Sequence, residues 1–469
     1  MAMTSTHAVG TDGARTHGAG RATGVRDAGP VETFALSAVF VAIIFIYAAL
    51  GRDVFSNSLV QGQNDDLISA LLPFLRVAIC AAGVVIVMAR AGMDWIFARI
   101  PWLFLPFVLV ASASVVWSVD AKTTLRNAAG LAALWIALPI VVNRIGLRRA
   151  VAIIVHVVAL VLIVSLMLAL FVPDIGRHTG MEIMQQSHAG RWRGMLGHKN
   201  SLGAWAALGS VFLFTHTRQL GGPKLYWWLA RAAALSCLVG AESATGIVVM
   251  CVLWMIWLGL QILRRAPLML AIAINIVLAA VMTVGGFALN DLLFDVLGRN
   301  AGLTGRPIIW AIAEHFYWMR PWLGSGLGTL GGPEFLEYIL NSIGQAIPGP
   351  ENGYFVLLLE TGIIGTACFL LAILAALMAG FGWLRYVDAD DRSAIEFMLM
   401  ILLAALVTGI AESRAFIYYG TDTIVTYCAL LSLLALPKAP RAVQRAQMRL
   451  ASSFLPPTPV DVPGRGTFK

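Results

Sequence analysis

Long apolar blocks separated by short polar turns dominate the sequence. Each block is close to the ~20 residues that a helix needs to cross the ~30 Å hydrocarbon core of a bilayer. The pattern predicts an all-α fold, a polytopic transmembrane helix bundle with about twelve spans, near residues 33–50, 68–88, 102–117, 127–143, 150–172, 201–215, 226–241, 245–263, 268–288, 354–380, 394–411 and 421–436. The composition agrees, because hydrophobic residues make up 59% of the 469 positions and charged residues only 12%. A soluble domain of this size needs more charge on its surface.

Lysine and arginine concentrate in alternate loops. The basic set consists of residues 89–101, 144–149, 216–225, 264–267 and 381–393. The other set is poorer in these residues, although it contains the two longest loops, 173–200 and 289–353. Because basic loops stay on the cytoplasmic side, both termini are predicted to be cytoplasmic and both long loops to lie outside.

Three regions follow from this pattern. Residues 1–30 are rich in Gly, Ala, Thr and Arg and lack an apolar stretch, so they predict a disordered cytoplasmic tail rather than a cleaved signal peptide. Residues 31–436 form the transmembrane domain, and residues 437–469 form a basic cytoplasmic tail. The net charge of +8 is carried largely by loops and tails, which indicates topology signals rather than nucleic-acid binding.

The loop 173–200 ends in a run of potentially cationic side chains separated by glycines: Arg191, Arg193, His198 and Lys199, followed by Asn200. Glycines let a backbone approach a ligand, and cations at a membrane boundary suit a polyanionic headgroup such as pyrophosphate. An interfacial anchor is the alternative, with the tryptophan of this run at headgroup depth and the arginines on lipid phosphates. Spacing alone does not decide between the two.

The loop 289–353 contains a predicted amphipathic helix. Pro307 suits a first helical position, and apolar residues follow at helical spacing until Arg320. Arg306 would stand beside the helix N-terminus, where an anion can bind. The alternative is that Arg306 only caps the helix. The glycine cluster 324–332 lacks the lysine of a phosphate-binding loop, and we interpret it as a flexible connection.

A polar element closes this loop. Glu351, Asn352 and Tyr354 lead into a long apolar span that carries Glu360 about two turns inside. A carboxylate in a span is expensive unless it is paired or lines a wet cavity, so Glu360 is a functional candidate, with a helix–helix hydrogen bond as the alternative. Glu351 could accept a proton from a sugar hydroxyl. Arg414 would join the site only if its outer turn converges on it.

Several ordered motifs resemble the O-antigen ligase and exopolysaccharide repeat-unit polymerase superfamily, the Wzy-like membrane proteins. The resemblance covers about residues 100–430 and is closest to the exopolysaccharide production branch. It rests on Val116–Asp120 with Thr124–Arg126, on Arg193–Gly203, on Thr304–Arg306 with Trp310, Pro321 and Gly324–Gly326, and on Glu351–Tyr354 with Leu357–Gly365. The chain departs from the family at Glu351, where members often carry a histidine that is a catalytic candidate in ligases.

This resemblance implies an enzyme of the bacterial inner membrane that transfers a growing glycan from an undecaprenyl-diphosphate carrier to another lipid-linked repeat unit at the periplasmic face. Polymerase is favoured over a ligase that moves glycan onto lipid A-core. A transporter or flippase of polysaccharide or lipid-linked sugar is the alternative from another class, in which the arginines would line a path for an anion.

In this interpretation Arg191, Arg193 and Arg306 hold the diphosphate and stabilise the leaving group, while Glu351, or else His198, accepts the proton. No acidic cluster shows the spacing of a Mg²⁺ site, and none of the five cysteines shows metal-ligand spacing, so the reaction is predicted to need neither a metal nor a cofactor. The predicted partners are the lipid-linked glycan and the bilayer, with a chain-length regulator and a flippase as further candidates.

Overall fold

A computed structural model describes residues 28–48, 65–180, 188–217, 220–265, 306–343, 349–384, 386–410, 416 and 421–436. The predicted span 268–288, nearly all of the N-terminal tail and the whole C-terminal tail lie outside the described residues. Within this part of the chain every regular element is a helix, and one isolated antiparallel bridge joins Arg177 to Trp192.

Fifteen α-helices follow one another along the described part of the chain. They are α1 Pro30–Tyr47, α2 Asp65–Ala91, α3 Met93–Phe97, α4 Leu105–Ala113, α5 Ala121–Ile145, α6 Leu147–Phe171, α7 Pro173–Gly176, α8 Lys199–Thr215, α9 Lys224–Gly240, α10 Ala244–Arg265, α11 Arg306–Met319, α12 Pro333–Ile343, α13 Gly353–Trp383, α14 Ala389–Thr408 and α15 Thr421–Leu434.

The predicted spans can be compared with these helices. Each predicted span in the described residues coincides with one, except that the segment 102–117 is divided into α4 and two flanking 3₁₀ turns. Six of the described helices are long and apolar enough to cross a membrane: α1, α5, α6, α13, Leu71–Ala91 of α2 and Ala244–Ile262 of α10. The helical membrane fold is therefore observed, and the number of about twelve spans stays a prediction.

Ion pairs join the loops at one end of the bundle. Arg144, at the end of α5, contacts Glu32 of α1 at 2.5 Å between Nε and Oε1. Arg148, at the start of α6, contacts the acidic residues that open α14, which are Asp388, Asp390 and Asp391. These loops are ones that the basic residues assigned to the cytoplasmic side, so the described contacts group them as the prediction requires.

Backbone hydrogen bonds join the loops at the opposite end. The amide of Trp192 donates to the carbonyl of Gly240 at 2.9 Å, and the amide of Gly353 donates to that of Gly409 at 2.7 Å. The amide of Val119 donates to Ser325 at 3.0 Å. The long loops 173–200 and 289–353 therefore meet the outer turns of the prediction at a common end.

Two apolar cores lie in the part of the chain that the structure describes. The larger lies inside the bundle and includes an aromatic cluster of Phe104, Phe107, Phe369 and Tyr427. The smaller joins α11 and α12 to α13 through Ile309, Ile312, Ala313, Phe335, Ile339 and Leu359. Many large apolar side chains on the outside of α6, α9 and α13 are exposed, as expected of helices that face lipid. Helix α12 was not predicted.

Candidate functional site

The loop between α6 and α8 folds back on itself at the outer end. The amide of His178 donates to the carbonyl of Arg191 at 2.9 Å, and the amide of Gly190 donates to that of His178 at 2.8 Å. The indole of Trp192 lies against Gly240, where an added Cβ would stand 2.2 Å from the ring. Gly240 therefore permits the contact between this loop and the end of α9.

Arg193 holds the start of this loop. It is only 6% exposed, and its Nε donates to the carbonyl of Ile175 at 2.9 Å while an Nη donates to that of Asp174 at 3.3 Å. These bonds satisfy two carbonyls of the short helix α7. The geometry therefore favours a structural role for Arg193, although a diphosphate contact was predicted.

Arg191 stands nearer the surface and faces two partners. Its Nε lies 3.1 Å from Oε2 of Glu242, and an Nη donates to Nδ1 of His188 at 3.2 Å. The Glu242 side chain is 55% exposed, so this ion pair is partly solvated and weak enough to exchange for a ligand. Arg191 is thus the arginine of this loop that is best placed to meet an anion.

The N-terminus of α8 brings the remaining predicted residues of this loop together. Lys199 is buried, and its Nζ donates to the carbonyl of Glu242 at 3.4 Å. Oδ1 of Asn200 accepts the hydroxyl of Ser243 at 3.1 Å. Close packing makes these contacts possible, because an added Cβ on Gly203 would lie 2.7 Å from Cβ of Ser243.

Three histidines pack against one another at this helix end. The ring centroids of His178, His188 and His198 are 5.6–5.7 Å apart in all three pairs. The rings meet edge to face, and no group of three or more His, Cys, Asp or Glu side chains in the described residues could hold a metal ion.

The tautomer of His198 limits its chemistry. The side chain caps α8, and its Nδ1 accepts the amide of Asn200 at 3.1 Å. A neutral ring then carries its proton on Nε2, so that nitrogen is a donor. In this geometry His198 suits hydrogen bonding to an anion better than proton abstraction.

An open groove of about 610 Å³ runs beside this cluster. Its lining changes from charged and aromatic residues at the outer end to apolar residues along the exposed face of α9: Arg177, Gly190, Trp192, Glu242, Gly240, Ser236, Val239 and Leu235. The groove can therefore accept an amphiphile whose head is polar and whose tail follows the helix.

Glu360 binds the glycine cluster. Its Oε2 accepts the amide of Gly328 at 2.8 Å, and its Oε1 accepts the amide of Leu330 at 3.2 Å. The carboxylate is buried, and the amides of Ser325 and Gly326 donate to the carbonyls of Leu359 and Glu360. The interpretation of the cluster as a flexible connection was therefore wrong, because the side chain and backbone of α13 fix it in place.

Asn352 and Tyr354 shape the start of α13. Oδ1 of Asn352 accepts the amides of Tyr354 and Phe355, so this side chain caps the helix. The Tyr354 hydroxyl donates to the carbonyl of Leu406 at 2.7 Å. Glu351 has φ of 48°, in the left-handed region that non-glycine residues rarely adopt. A strained residue directly before a cap is typical of a functional position.

Arg306 begins α11, and its side chain lies outside the described residues, as does the whole of Arg414. The indole of Trp310, one turn further along α11, donates to the carbonyl of Pro350 at 3.0 Å. The start of α11 is thereby tied to the segment that carries Glu351. A single site that joins Arg191 to Arg306 stays a prediction.

Two residues of the cluster were missed in the sequence. His178 and His188 carry no motif of their own, and the one signal that could have found them is their presence in one outer loop with His198. Glu242 lies in the short turn between α9 and α10, and its pairing with Arg191 depends on how α8 and α10 pack. Such contacts between distant segments are not encoded in local spacing.

Comparisons with known proteins agree with these features. The O-antigen ligase family model matches residues 229–370, which include Glu242, Glu351 and Glu360. The chain is also 25% identical over 329 residues to the exopolysaccharide production protein ExoQ of Rhizobium meliloti (strain 1021), a match that covers 66% of this chain and 71% of that protein. Together they confirm the resemblance carried by the sequence motifs, which is to the Wzy-like membrane proteins of the O-antigen ligase superfamily and, among them, to the exopolysaccharide production branch.

Proposed function

We propose that the protein is a metal-independent membrane glycosyltransferase that polymerises undecaprenyl-diphosphate-linked repeat units into exopolysaccharide at the periplasmic face of the inner membrane. One observation carries the proposal: Arg191 and the N-terminus of α8 lie beside a groove that changes from charged to apolar along α9. A lipid carrier has the same two parts, an anionic diphosphate and an apolar tail. The exopolysaccharide relative supports polymerase chemistry.

The reaction transfers the growing glycan to the terminal hydroxyl of a second lipid-linked unit. The hydroxyl oxygen forms a bond to the anomeric carbon, the bond from that carbon to the diphosphate breaks, and the carrier diphosphate leaves with the electron pair. Arg191 and Arg306 bind the diphosphate and stabilise this charge, as preorganised cations do in other transfers. The hydroxyl proton passes to a base.

Glu351 is the proposed base. His198 is the rival candidate, but its Nδ1 already accepts an amide proton and its Nε2 then carries hydrogen. Glu351 offers carboxylate oxygens next to the helix cap at Asn352, where its strained backbone fixes its place. The geometry of the two residues therefore supports Glu351 as base and His198 as a donor to the diphosphate.

The other predicted site residues position this machinery. Arg193, Lys199 and Asn200 hold the loop and the turn before α10, while Asn352 and Tyr354 hold the start of α13. Glu360 holds the glycine cluster. In the proposed mechanism these six side chains act through the residues that they support.

Ligase activity is the second candidate, because the matching family model is described as O-antigen ligase. It requires the same donor and the same base and differs in the acceptor, which would be lipid A-core. A chain-length regulator and a flippase remain candidate partners for either activity.

Complementation of a deletion strain tests the proposal. We expect Glu351→Gln to abolish long polymer and to accumulate single lipid-linked repeat units, since loss of a general base lowers rate by about 10²–10⁴-fold. Glu337→Gln is the matched control, because Glu337 is an exposed carboxylate of α12 in the same outer loop. Full-length polymer that stays on its lipid carrier would indicate a ligase, and full-length free polymer from Glu351→Gln would exclude Glu351 as base.

A further inference from the structure

Three hydrogen bonds define the state of the histidine cluster, which consists of His178, His188 and His198. The amide of Lys199 donates to Nε2 of His178 at 3.3 Å. An Nη of Arg191 donates to Nδ1 of His188 at 3.2 Å, and the amide of Asn200 donates to Nδ1 of His198 at 3.1 Å. An N–H group can donate only to a ring nitrogen that carries no hydrogen. All three imidazoles are therefore neutral in this arrangement.

These bonds serve the residues that bind the anion. His188 orients the guanidinium of Arg191, while His178 and His198 accept the first two amides of α8. Unsatisfied amides at a helix N-terminus otherwise need a side chain, water or ligand. The cluster thus fixes both parts of the diphosphate site that come from the loop 173–200.

We propose that His178 and His188 are positioning residues of the diphosphate site, which they and His198 hold together as neutral hydrogen-bond acceptors, so that protonation of the cluster takes the site apart. The inference rests on the proposed function, because it concerns the same donor site. Neither His178 nor His188 touches the reacting atoms in this account.

Charge explains why protonation opens the cluster. A second proton on any of these rings occupies the nitrogen that accepts the hydrogen bond and adds a cation. The charged groups of the surrounding elements are Asp174 on α7, Arg177, Arg191 and Arg193 in the loop, Lys199 on α8 and Glu242 before α10. The four cations outnumber the two carboxylates, so a histidine cation is repelled; Glu182 lies outside the described residues. An ordinary imidazole takes up this proton near pH 6.5.

Amide side chains allow a matched test, since Asn places an acceptor near the position of Nδ1 and Gln places one near that of Nε2. The triple variant H178Q/H188N/H198N keeps all three acceptors and cannot titrate in this range. We would measure the thermal unfolding midpoint of purified full-length protein in detergent at pH 7.5 and pH 5.5. The wild type is expected to lose stability at the lower pH, and the triple variant to lose much less.

Single variants supply the functional arm. H188N should retain long polymer, whereas H188Q and H188A should lose it, because neither of those two places an acceptor at Nδ1. Equal losses of unfolding midpoint in wild type and triple variant would overturn the proposal, and so would normal polymer from H188A. If the triple variant does not fold, the amounts of long polymer made by H188N and by H188Q are compared instead. Equal amounts would overturn the proposal. The unfolding arm does not depend on activity, so its outcome separates this inference from the proposed polymerase chemistry.

Discussion

Arg191 and Arg193 stand two positions apart and have different surroundings. Arg193 donates to the carbonyls of Ile175 and Asp174 and is nearly inaccessible, while Arg191 pairs with the half-exposed Glu242. Sequence spacing gave both arginines the same role. Their difference arises from the way the loop closes on α7, which local sequence does not specify.

The two arginines should therefore respond differently to the same change. Arg193→Lys removes one of two partly buried charge-assisted hydrogen bonds, so we expect a loss of about 1.5–3 kcal/mol of unfolding free energy. Arg191→Lys disturbs a partly solvated pair worth about 0–1 kcal/mol and should leave stability nearly unchanged while shortening the polymer. Thermal unfolding in detergent and polymer size measure the two effects. A larger stability loss at Arg191 than at Arg193 would contradict the assignment.

At the level of elements, α13 is broken where the glycine cluster enters. Gly362 has φ of 63° and ψ of −171°, a conformation that is essentially restricted to glycine. An added Cβ there would lie 2.3 Å from the backbone carbonyl of Trp322. The break therefore lets the segment 321–332 approach the helix, and the carboxylate of Glu360 then binds its amides.

Two glycines of α13 provide a matched test of this break. Gly362→Ala should destabilise the protein by more than the ~1–2 kcal/mol of a left-handed residue, because backbone overlap adds to it. Gly382→Ala meets no atom within 4 Å and should be neutral or gain up to about 1 kcal/mol. The thermal unfolding midpoints of the two variants measure these changes in stability. Similar midpoints would show that the helix is not held in the broken form.

The start of α14 should confer pH-dependent stability at the other end of the bundle. The amide of Asp391, which donates to the Asp388 carboxylate, lowers the pKa of Asp388, and Arg148 lowers it further. A depressed carboxyl pKa stabilises the fold fully above its ordinary value of about 3.9. This contribution disappears as the pH falls through the lowered pKa.

Asp388→Asn keeps an N-cap acceptor and removes the charge. We expect its unfolding midpoint to lie below that of the wild type at pH 7 and to approach it as the pH falls below 4. Asp388→Ala, which also lacks the cap, should remain less stable than Asp388→Asn at both values. A constant gap between wild type and Asp388→Asn from pH 7 to the lowest pH that can be measured would contradict the assignment.

How much of each element the sequence predicted depends on its periodicity. The long spans and α11 were foreseen, because apolar runs and helical spacing are local signals. Helix α12 was missed, although Pro333 begins it and Phe335 and Ile339 lie one turn apart on the buried face. The fixed position of the glycine cluster was also missed, since it depends on Glu360, a residue far along the chain.

At the scale of the whole molecule, the groove beside α9 joins the charged outer end to the lipid-facing side. Ser236→Phe should fill it without breaking a buried polar contact and should reduce polymer formation more than stability. Val248→Phe, on the exposed face of α10 and away from the groove lining, is the control. Polymer size and unfolding midpoint would be compared for both. Normal polymer from Ser236→Phe would exclude the groove as the binding site of the lipid carrier.

The alternation of basic and less basic loops predicted which loops share an end of the bundle, because the described contacts between loops join turns that were assigned to the same side. It could not foresee that the three histidines gather, which depends on the closing of a single loop. The sequence therefore predicts most of the fold of the proposed polymerase, but it does not predict the contacts that form the site.

Polymerisation by the purified protein tests the proposed polymerase activity directly. The full-length chain would be reconstituted in liposomes with one purified undecaprenyl-diphosphate-linked repeat unit, and the lipid-linked products separated by size. We expect a ladder of integer multiples with release of undecaprenyl diphosphate, abolished in Glu351→Gln and retained in Glu337→Gln. Movement of intact repeat units across the bilayer, or transfer only to added lipid A-core, with no ladder, would contradict it.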